Sequence, residues 1–247
     1  MQINVGGIDN IPIIKPGDDL GNIICEALTN NNIQLLDNDV LCVASKIVSI
    51  SENRIVNLNG IIPSEKALEI HDRVLRKDSR IIQLMIDESG DLSGSKLDVS
   101  DNYIGCWLKS GLKLTSAGID KIDENYVVLL PNDSNLSAKQ IANTLFLRFK
   151  KKVGVVITDS DGREDKVGAT QVAIGVYGVP PLRNTVYFNN GKKKIISETI
   201  CDMMAATAGL IMGQRGKNIP AVIIRGYNYT FDTHAKIEDA LCINKNE

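Results

Sequence analysis

An excess of charge of one sign is missing from this chain. Its 28 Lys and Arg nearly balance 30 Asp and Glu, so no diffuse positive field exists to hold nucleic acid or an anionic membrane surface. Any anion must be bound at a local site. Histidine is scarce, with only His71 and His234, which argues against a zinc centre built from nitrogen and sulfur. A metal would have to be hard and held by oxygen. The five cysteines, Cys25, Cys42, Cys106, Cys201 and Cys242, form no Cys-x-x-Cys pair and mostly sit inside apolar runs; they read as buried, reduced thiols of a cytoplasmic protein. No stretch approaches the ~20 apolar residues of a membrane span, and residues 1–14 lack the basic start and unbroken apolar run of a leader. Neither secretion nor membrane insertion is expected.

What is present is ordinary globular material: 247 residues, 43% hydrophobic and 23% charged, with mean hydropathy near zero. Strands and helices alternate. Continuous apolar runs at 40–44, 127–130, 153–157, 172–176 and 221–224 read as strands buried on both faces. The pattern predicts an α/β fold, a mixed sheet with flanking helices. Ser137 and Gln140 suggest a capping box before Ile141, Leu145 and Phe149. Ser64 and Asp78 open two further helices, the second placing Ile81, Ile82, Met85 and Ile86 on one side. A last helix is expected from about Ser197 to Met212, with Ile200, Met203, Met204, Thr207 and Ile211 as its apolar stripe and Gly213 as its stop. The Asp-, Ser- and Gly-rich stretch 87–101 is the best candidate for a mobile loop or a joint between two sub-domains of one catalytic unit covering 1–247. The basic runs 150–152 and 192–194 read as solvated faces.

Three segments could carry chemistry. The first, Ile157-Thr-Asp-Ser-Asp-Gly-Arg-Glu-Asp165, gathers four carboxylates after a buried strand, at the end of a sheet where ligands bind. It is no calcium loop, because Gly162 falls fourth and Arg163 fifth. Taken alone it reads as well as a solvated acidic turn. The second, Ser116-Ala-Gly-Ile-Asp120, is a turn after a strand-like stretch at 112–115. The third, Met212-Gly-Gln-Arg-Gly-Lys-Asn218, places glycines and two cations after a helix, but without the spacing of a P-loop. A Rossmann glycine fingerprint is also lacking. Together they favour a hard cation acting on a polyanionic substrate, most simply a nucleotide.

Read in order, these segments resemble the coenzyme F420-0:L-glutamate ligase family. The resemblance runs from about Ile11 to Gly226 and rests on Ile11-Pro-Ile-Ile-Lys-Pro-Gly-Asp-Asp19, Asp39-Val-Leu-Cys-Val-Ala-Ser-Lys-Ile-Val-Ser49, Ser116-Ala-Gly-Ile-Asp120, Thr158-Asp-Ser-Asp-Gly-Arg163, Val172-Ala-Ile-Gly-Val176, Met212-Gly-Gln214 and Ile223-Ile-Arg-Gly226. It implies the family's own two-part α/β fold, a homodimer with a nucleotide groove near the subunit interface, and two Mg²⁺ or Mn²⁺ ions held by Asp120, Asp159, Ser160 and Gln214. Carboxylate, hydroxyl and amide oxygens suit such ions. The implied nucleotide contacts fall on Ile11, Pro12, Ile13, Ile14, Ser45, Lys46, Asp123, Met212, Gly213, Gln214, Arg215, Gly216, Lys217, Asn218 and Ile219. The implied substrates are GTP or ATP, L-glutamate and a deazaflavin coenzyme precursor. Whether a monovalent cation joins the divalent pair is left open, as is the number of glutamates added.

The chain departs from the family's pattern at four places. Ser116 and Ile122-Asp123 stand where the family often has Asn and Ser-Asn, and an ionised Asp123 can only accept hydrogen bonds. Ile50 stands at a common lysine; if 46–50 is a strand, Lys46 shares its face and covers part of that charge. Ser160 replaces Thr and keeps the hydroxyl, while residues 227–247 no longer follow the family. These changes leave room for a sister ligase acting on a folate or pterin, or for a non-catalytic nucleotide-binding relative.

Overall fold

The computed structural model describes residues 2–101, 103–214 and 216–242. In chain order its elements are β1 (Asn4–Gly7), α1 (Leu20–Asn30), β2 (Val40–Ala44), α2 (Ser45–Ser51), β3 (Ile55–Asn57), α3 (Glu65–Arg73), α4 (Ser79–Ser89), β4 (Leu97–Ser100), β5 (Tyr103–Trp107), β6 (Lys113–Thr115), β7 (Asp120–Lys121), β8 (Tyr126–Val128), α5 (Ser134–Phe149), β9 (Gly154–Gly162), β10 (Ala169–Tyr177), β11 (Leu182–Asn189), β12 (Lys192–Thr199), α6 (Ile200–Met212) and β13 (Ala221–Arg225). The fold is α/β around a mixed five-stranded sheet of order β1-β13-β2-β9-β10. β2 and β9 run parallel; the other pairs in that sheet are antiparallel.

The two faces of this sheet bury different partners. Leu41, Val43, Val155 and Ile157 face a core closed by α1 and α5. Their sequence neighbours Val40, Cys42 and Val156 face the opposite core, closed by α6. That is the two-residue alternation of a strand with helices on both sides, and it explains the unbroken apolar runs. A third core, with Ile70, Ile82, Met85, Ile86 and Val127, fills a smaller half made of α3, α4 and two three-stranded sheets, β3-β8-β7 and β4-β5-β6. Residues 87–101 lie within that half, as the end of α4, a turn and β4. In that turn Asp91 accepts from the Ser93 and Ser95 amides. No helix among the described residues is long and apolar enough to cross a membrane.

Local signals placed several boundaries correctly. Ser64 accepts from the Ala67 amide and Asp78 from the Arg80 amide, so both cap their helices. Other expectations need correction. α5 begins one turn before the proposed capping box: Asp133 caps it by accepting from the Leu136 amide, and the Ser137 hydroxyl is turned to the Glu52 carboxylate. α6 begins at Ile200 because 197–199 pair with β11. Its buried side is Ile200, Cys201, Met204, Ala205, Ala208 and Met212, whereas Met203 is exposed. Small residues were passed over in the expected stripe, yet they allow the helix to approach the sheet. Lys192, Lys193 and Lys194 are exposed as expected, but they belong to β12, which forms with β11 a hairpin of two eight-residue strands that the sequence reading missed.

Candidate functional site

The candidate site lies where the parallel strands β2 and β9 end side by side. Their last paired residues are Ala44 and Thr158. Chain direction therefore brings the start of α2, with Ser45 and Lys46, next to Asp159. Only the end of the acidic segment is a loop: Asp159, Ser160 and Asp161 continue β9 and pair with Val172, Gln171 and Thr170 of β10, while 163–165 turn away beyond it. Strand alternation then separates them. Asp159 and Asp161 follow Ile157 to the α1 and α5 face, and Ser160 follows Thr158 to the α6 face.

Asp159 is only 8% exposed, and its Oδ1 accepts a 2.6 Å bond from the Ser45 hydroxyl. Burial pushes its pKa up to about 7; the Ser45 bond opposes that rise, and the negative charges of Asp120 and Asp161 add to it. Asp161 accepts from the Thr115 amide at 2.7 Å, and the Thr115 hydroxyl donates to the Gly162 carbonyl at 2.7 Å. These two bonds fasten β9 to the smaller half. From there the chain enters a left-handed turn in which Ser116, Ala117 and Gly118 have φ of 55°, 57° and 66°. Two successive non-glycine residues in that region cost about 1–2 kcal/mol each. The turn delivers Asp120 to within 3.2 Å of the Lys46 ammonium. Lys77 pins it from beneath, its ammonium donating to the Ser116 hydroxyl at 2.7 Å. Burial lowers the Lys77 pKa to about 8, with Arg76 and Lys121 lowering it further and Asp120 opposing them.

The chemistry of these carboxylates suits a divalent ion. The Asp120 charge raises the cost of ionising Asp159, and the donors of both are oxygens only. That donor set fits a hard cation, which would relieve the repulsion that Lys46 relieves in part. Ser160 and Gln214 lie on the α6 side. β9 meets the end of α6 there, where the Thr158 hydroxyl touches the Met212 sulfur at 3.7 Å. Among the described residues no group of three or more His, Cys, Asp and Glu side chains is arranged around one metal position. The structure thus brings Asp120 and Asp159 together, turns Ser160 to the other side of β9 and leaves Gln214 exposed just past the end of α6.

The implied nucleotide contacts are distributed around this end of the sheet. Ile11 and Ile14 pack on the main core, while Pro12 and Ile13 are exposed, Ile13 at 90%. Past Met212, Gly213 turns the chain at φ 63° and Lys217 folds back to donate to the Leu210 carbonyl at 3.3 Å. Gln214, Gly216, Lys217 and Asn218 are exposed, and Ile219 packs beside Gly7 and Ile211. Arg215 lies outside the described residues. Asp123 is exposed in the β7–β8 turn, where its Oδ1 accepts from the Asn125 and Tyr126 amides. Ile50 packs against the main core, and 45–51 is a helix rather than a strand. Positions 46 and 50 still share a face, now by the four-residue spacing of a helix.

Over residues 9–226 the sequence matches the family described as F420-0:Gamma-glutamyl ligase. The chain belongs to that family. Among curated relatives, one called Coenzyme F420:L-glutamate ligase from Methanothermobacter thermautotrophicus is 33% identical, over 92% of this chain and 90% of its own. Proteins of the same name from Methanosarcina mazei and Methanosarcina barkeri are 34% and 32% identical, each over 97% of this chain and 92% and 91% of their own. Within this family member, Lys77 went unnoticed as a candidate in the sequence, and Asp161 was read only as one carboxylate of the acidic segment. Lys77 sits in Arg76-Lys77-Asp78, which reads as a solvated helix cap, and only the fold of the 116–118 turn buries it.

Proposed function

We propose that this chain is a cytoplasmic ligase that joins L-glutamate to the terminal carboxylate of coenzyme F420-0, driven by GTP or ATP. The observation that carries the reading is the pairing of Asp120 and Asp159 at the end of the sheet, with Lys46 on Asp120, Ser45 on Asp159 and Lys77 beneath the turn that carries Asp120. Family membership supplies the direction of the chemistry. Asp120, Asp159, Ser160 and Gln214 would together hold two Mg²⁺ or Mn²⁺ ions. Such ions neutralise charge on a transferring phosphoryl group.

The protein's own groups orient the reactants. The Lys46 and Lys77 cations attract the phosphates, and the Ser45 hydroxyl fixes the Asp159 carboxylate by donating to it. An oxygen of the acceptor carboxylate attacks the terminal phosphorus, the bond to the nucleoside diphosphate breaks, and an acyl phosphate forms. The glutamate amine then attacks the acyl carbon, loses a proton and expels inorganic phosphate, leaving an amide. The purified chain should release one phosphate per amide formed, and only when nucleotide, glutamate, acceptor and divalent ion are all supplied. Release that needs neither glutamate nor acceptor would overturn the reading; product formed with a pterin or folate in place of F420-0 would redirect it.

A homodimer is part of the same proposal. Among the described residues β11 and β12 pair only with each other, and their two faces expose Val186, Phe188, Ile195 and Ile196, Phe188 at 73%. An isolated two-stranded ribbon is marginal in water, so a second copy covering it supplies the missing burial. Light scattering should give about twice 27.0 kDa, and a monomer would contradict the dimer.

A further inference from the structure

Beyond the end of β9 the chain turns back through residues 163–168, opposite the C-terminus of α3 and the β4–β5 turn. A cavity of about 520 Å³ opens between them, lined by Arg73 from α3, Asp101 and Tyr103 from the β4–β5 side, and Arg163, Glu164 and Lys166 from the turn. Three cations and two carboxylates therefore face one small space. This is not the nucleotide end of the site, none of whose implied contacts lines the cavity. It neighbours the site along the chain: Asp159 and Asp161 are alternate residues of β9, which ends at Gly162, and Arg163 follows directly. At roughly 3.3 Å per residue, Arg163 starts within about 13 Å of Asp159 along the backbone. An arginine side chain directed into the cavity, with a ligand of a few carbons, spans that gap.

We propose that this cavity is the glutamate subsite, taking an amino dicarboxylate whose amine points back along β9 toward Asp161 and Asp159. The assignment rests on the ligase reading above. The charge pattern selects the ligand class. A purely anionic ligand such as phosphate would be opposed by Asp101 and Glu164, and a purely cationic one by Arg73, Arg163 and Lys166. An amino dicarboxylate uses both signs: its carboxylates match guanidinium forks, which bind carboxylate in bidentate fashion, and its amine is received by the acidic side. The existing partners are exchangeable. Arg163 holds Asp165 at 2.9 and 3.2 Å, Lys166 approaches Asp165 at 3.9 Å, and all three side chains are more than half exposed. Exposed pairs of that kind contribute little, so a ligand carboxylate can displace them. Tyr103 adds a phenol that can donate to a carboxylate oxygen.

The test uses the full chain with Arg163→Gln, and Arg163→Gln combined with Lys166→Met, after matching melting midpoints show that the variants fold. Under ligation conditions the KM for glutamate should rise at least tenfold, with the KM values for nucleotide and acceptor within twofold of wild type. Preference for glutamate over glutamine, as a ratio of kcat/KM, should fall by a similar factor, and Arg163→Lys should restore part of it. An unchanged glutamate KM, or a rise in the acceptor KM instead, overturns the assignment. A wild-type chain that shows no glutamate-dependent phosphate release would count against the ligase reading rather than this cavity. In that case saturation-transfer NMR decides the cavity separately. Glutamate should show transfer with wild type and lose most of it with Arg163→Gln, and equal transfer or none with wild type overturns the subsite.

Discussion

Replacing Asp159 by asparagine should make the protein more stable and inactive at once. The carboxylate is almost fully buried, with a pKa near 7 rather than the ordinary 3.8. Below about pH 4 both folded and unfolded chains keep the proton, and the group contributes nothing. Between pH 4 and 7 the unfolded chain releases a proton that the folded chain retains, so stability falls as pH rises. Above pH 7 the penalty is complete. A difference of about three pH units corresponds to roughly 4 kcal/mol as an upper bound. Asparagine keeps the oxygen that accepts from Ser45 and removes the charge, but adds an amide donor that needs a partner. A net gain of at least about 1 kcal/mol at pH 8 is expected, or ~2–4 °C for a chain of this length. The assay is thermal unfolding of both proteins at pH 4.5 and pH 8 without divalent ions, then with Mg²⁺ or Mn²⁺. The gap should be near zero or reversed at pH 4.5 and favour Asp159→Asn at pH 8. Added metal should raise the wild-type midpoint more than the variant's, since binding to the folded state alone stabilises it. An Asp159→Asn protein that is less stable than wild type at pH 8 would refute the argument that this carboxylate is held against its own preference.

Three further outcomes follow from the same geometry. Lys77→Met should weaken nucleotide binding below about pH 8, where the wild-type ammonium is charged; a wild-type nucleotide KM that stays flat from pH 7 to 9 would remove Lys77 from that role. Asp39→Ala should destabilise the fold by about 1.5–3 kcal/mol, because Asp39 is 1% exposed and takes two bonds from the partly exposed Arg225, at 2.8 and 2.7 Å; denaturant midpoints in a two-state analysis would check it. Asp123→Asn with Ile50→Lys should shift the ratio of kcat/KM for GTP and ATP by more than twofold if these positions read the nucleotide, and a smaller shift excludes them.

Much of the main sheet was legible because its signals are local. The run at 40–44 is a strand to the residue, and Ser64 and Asp78 cap the helices they were expected to cap. The extension of β9 through Thr-Asp-Ser-Asp was not legible: polar residues there are held in a strand by pairing with β10, a partner fixed only by tertiary structure. That extension also decides which side chains meet. In a loop all four acidic and hydroxyl groups could converge; in a strand Ser160 must face away from Asp159. Lys77 was hidden for a similar reason, since its burial depends on a left-handed turn almost 40 residues away in sequence. The β11–β12 hairpin lacks the burial that alternation reports, because both of its faces are exposed within one chain.

The distribution of unfavourable features along β2 and β9 ties these observations together. At one end of the pair Asp39 acts as a clamp: its side chain takes Arg225 of β13 and the Leu36 amide, while its carbonyl accepts from the Gly154 amide of β9 at 2.9 Å. Three strands are thereby fixed where no chemistry is proposed. At the other end stand a buried carboxylate with a raised pKa, a desolvated lysine and two successive non-glycine residues in the left-handed region. Each is costly, and all three gather around Asp120 and Asp159 and the gap between them. A sequence selected for stability alone would place an amide, an apolar side chain and a glycine there. Their retention is explained if the gap is filled during turnover by charge that the protein cannot supply from its own side chains, and the clamp keeps the strands in register while it is empty.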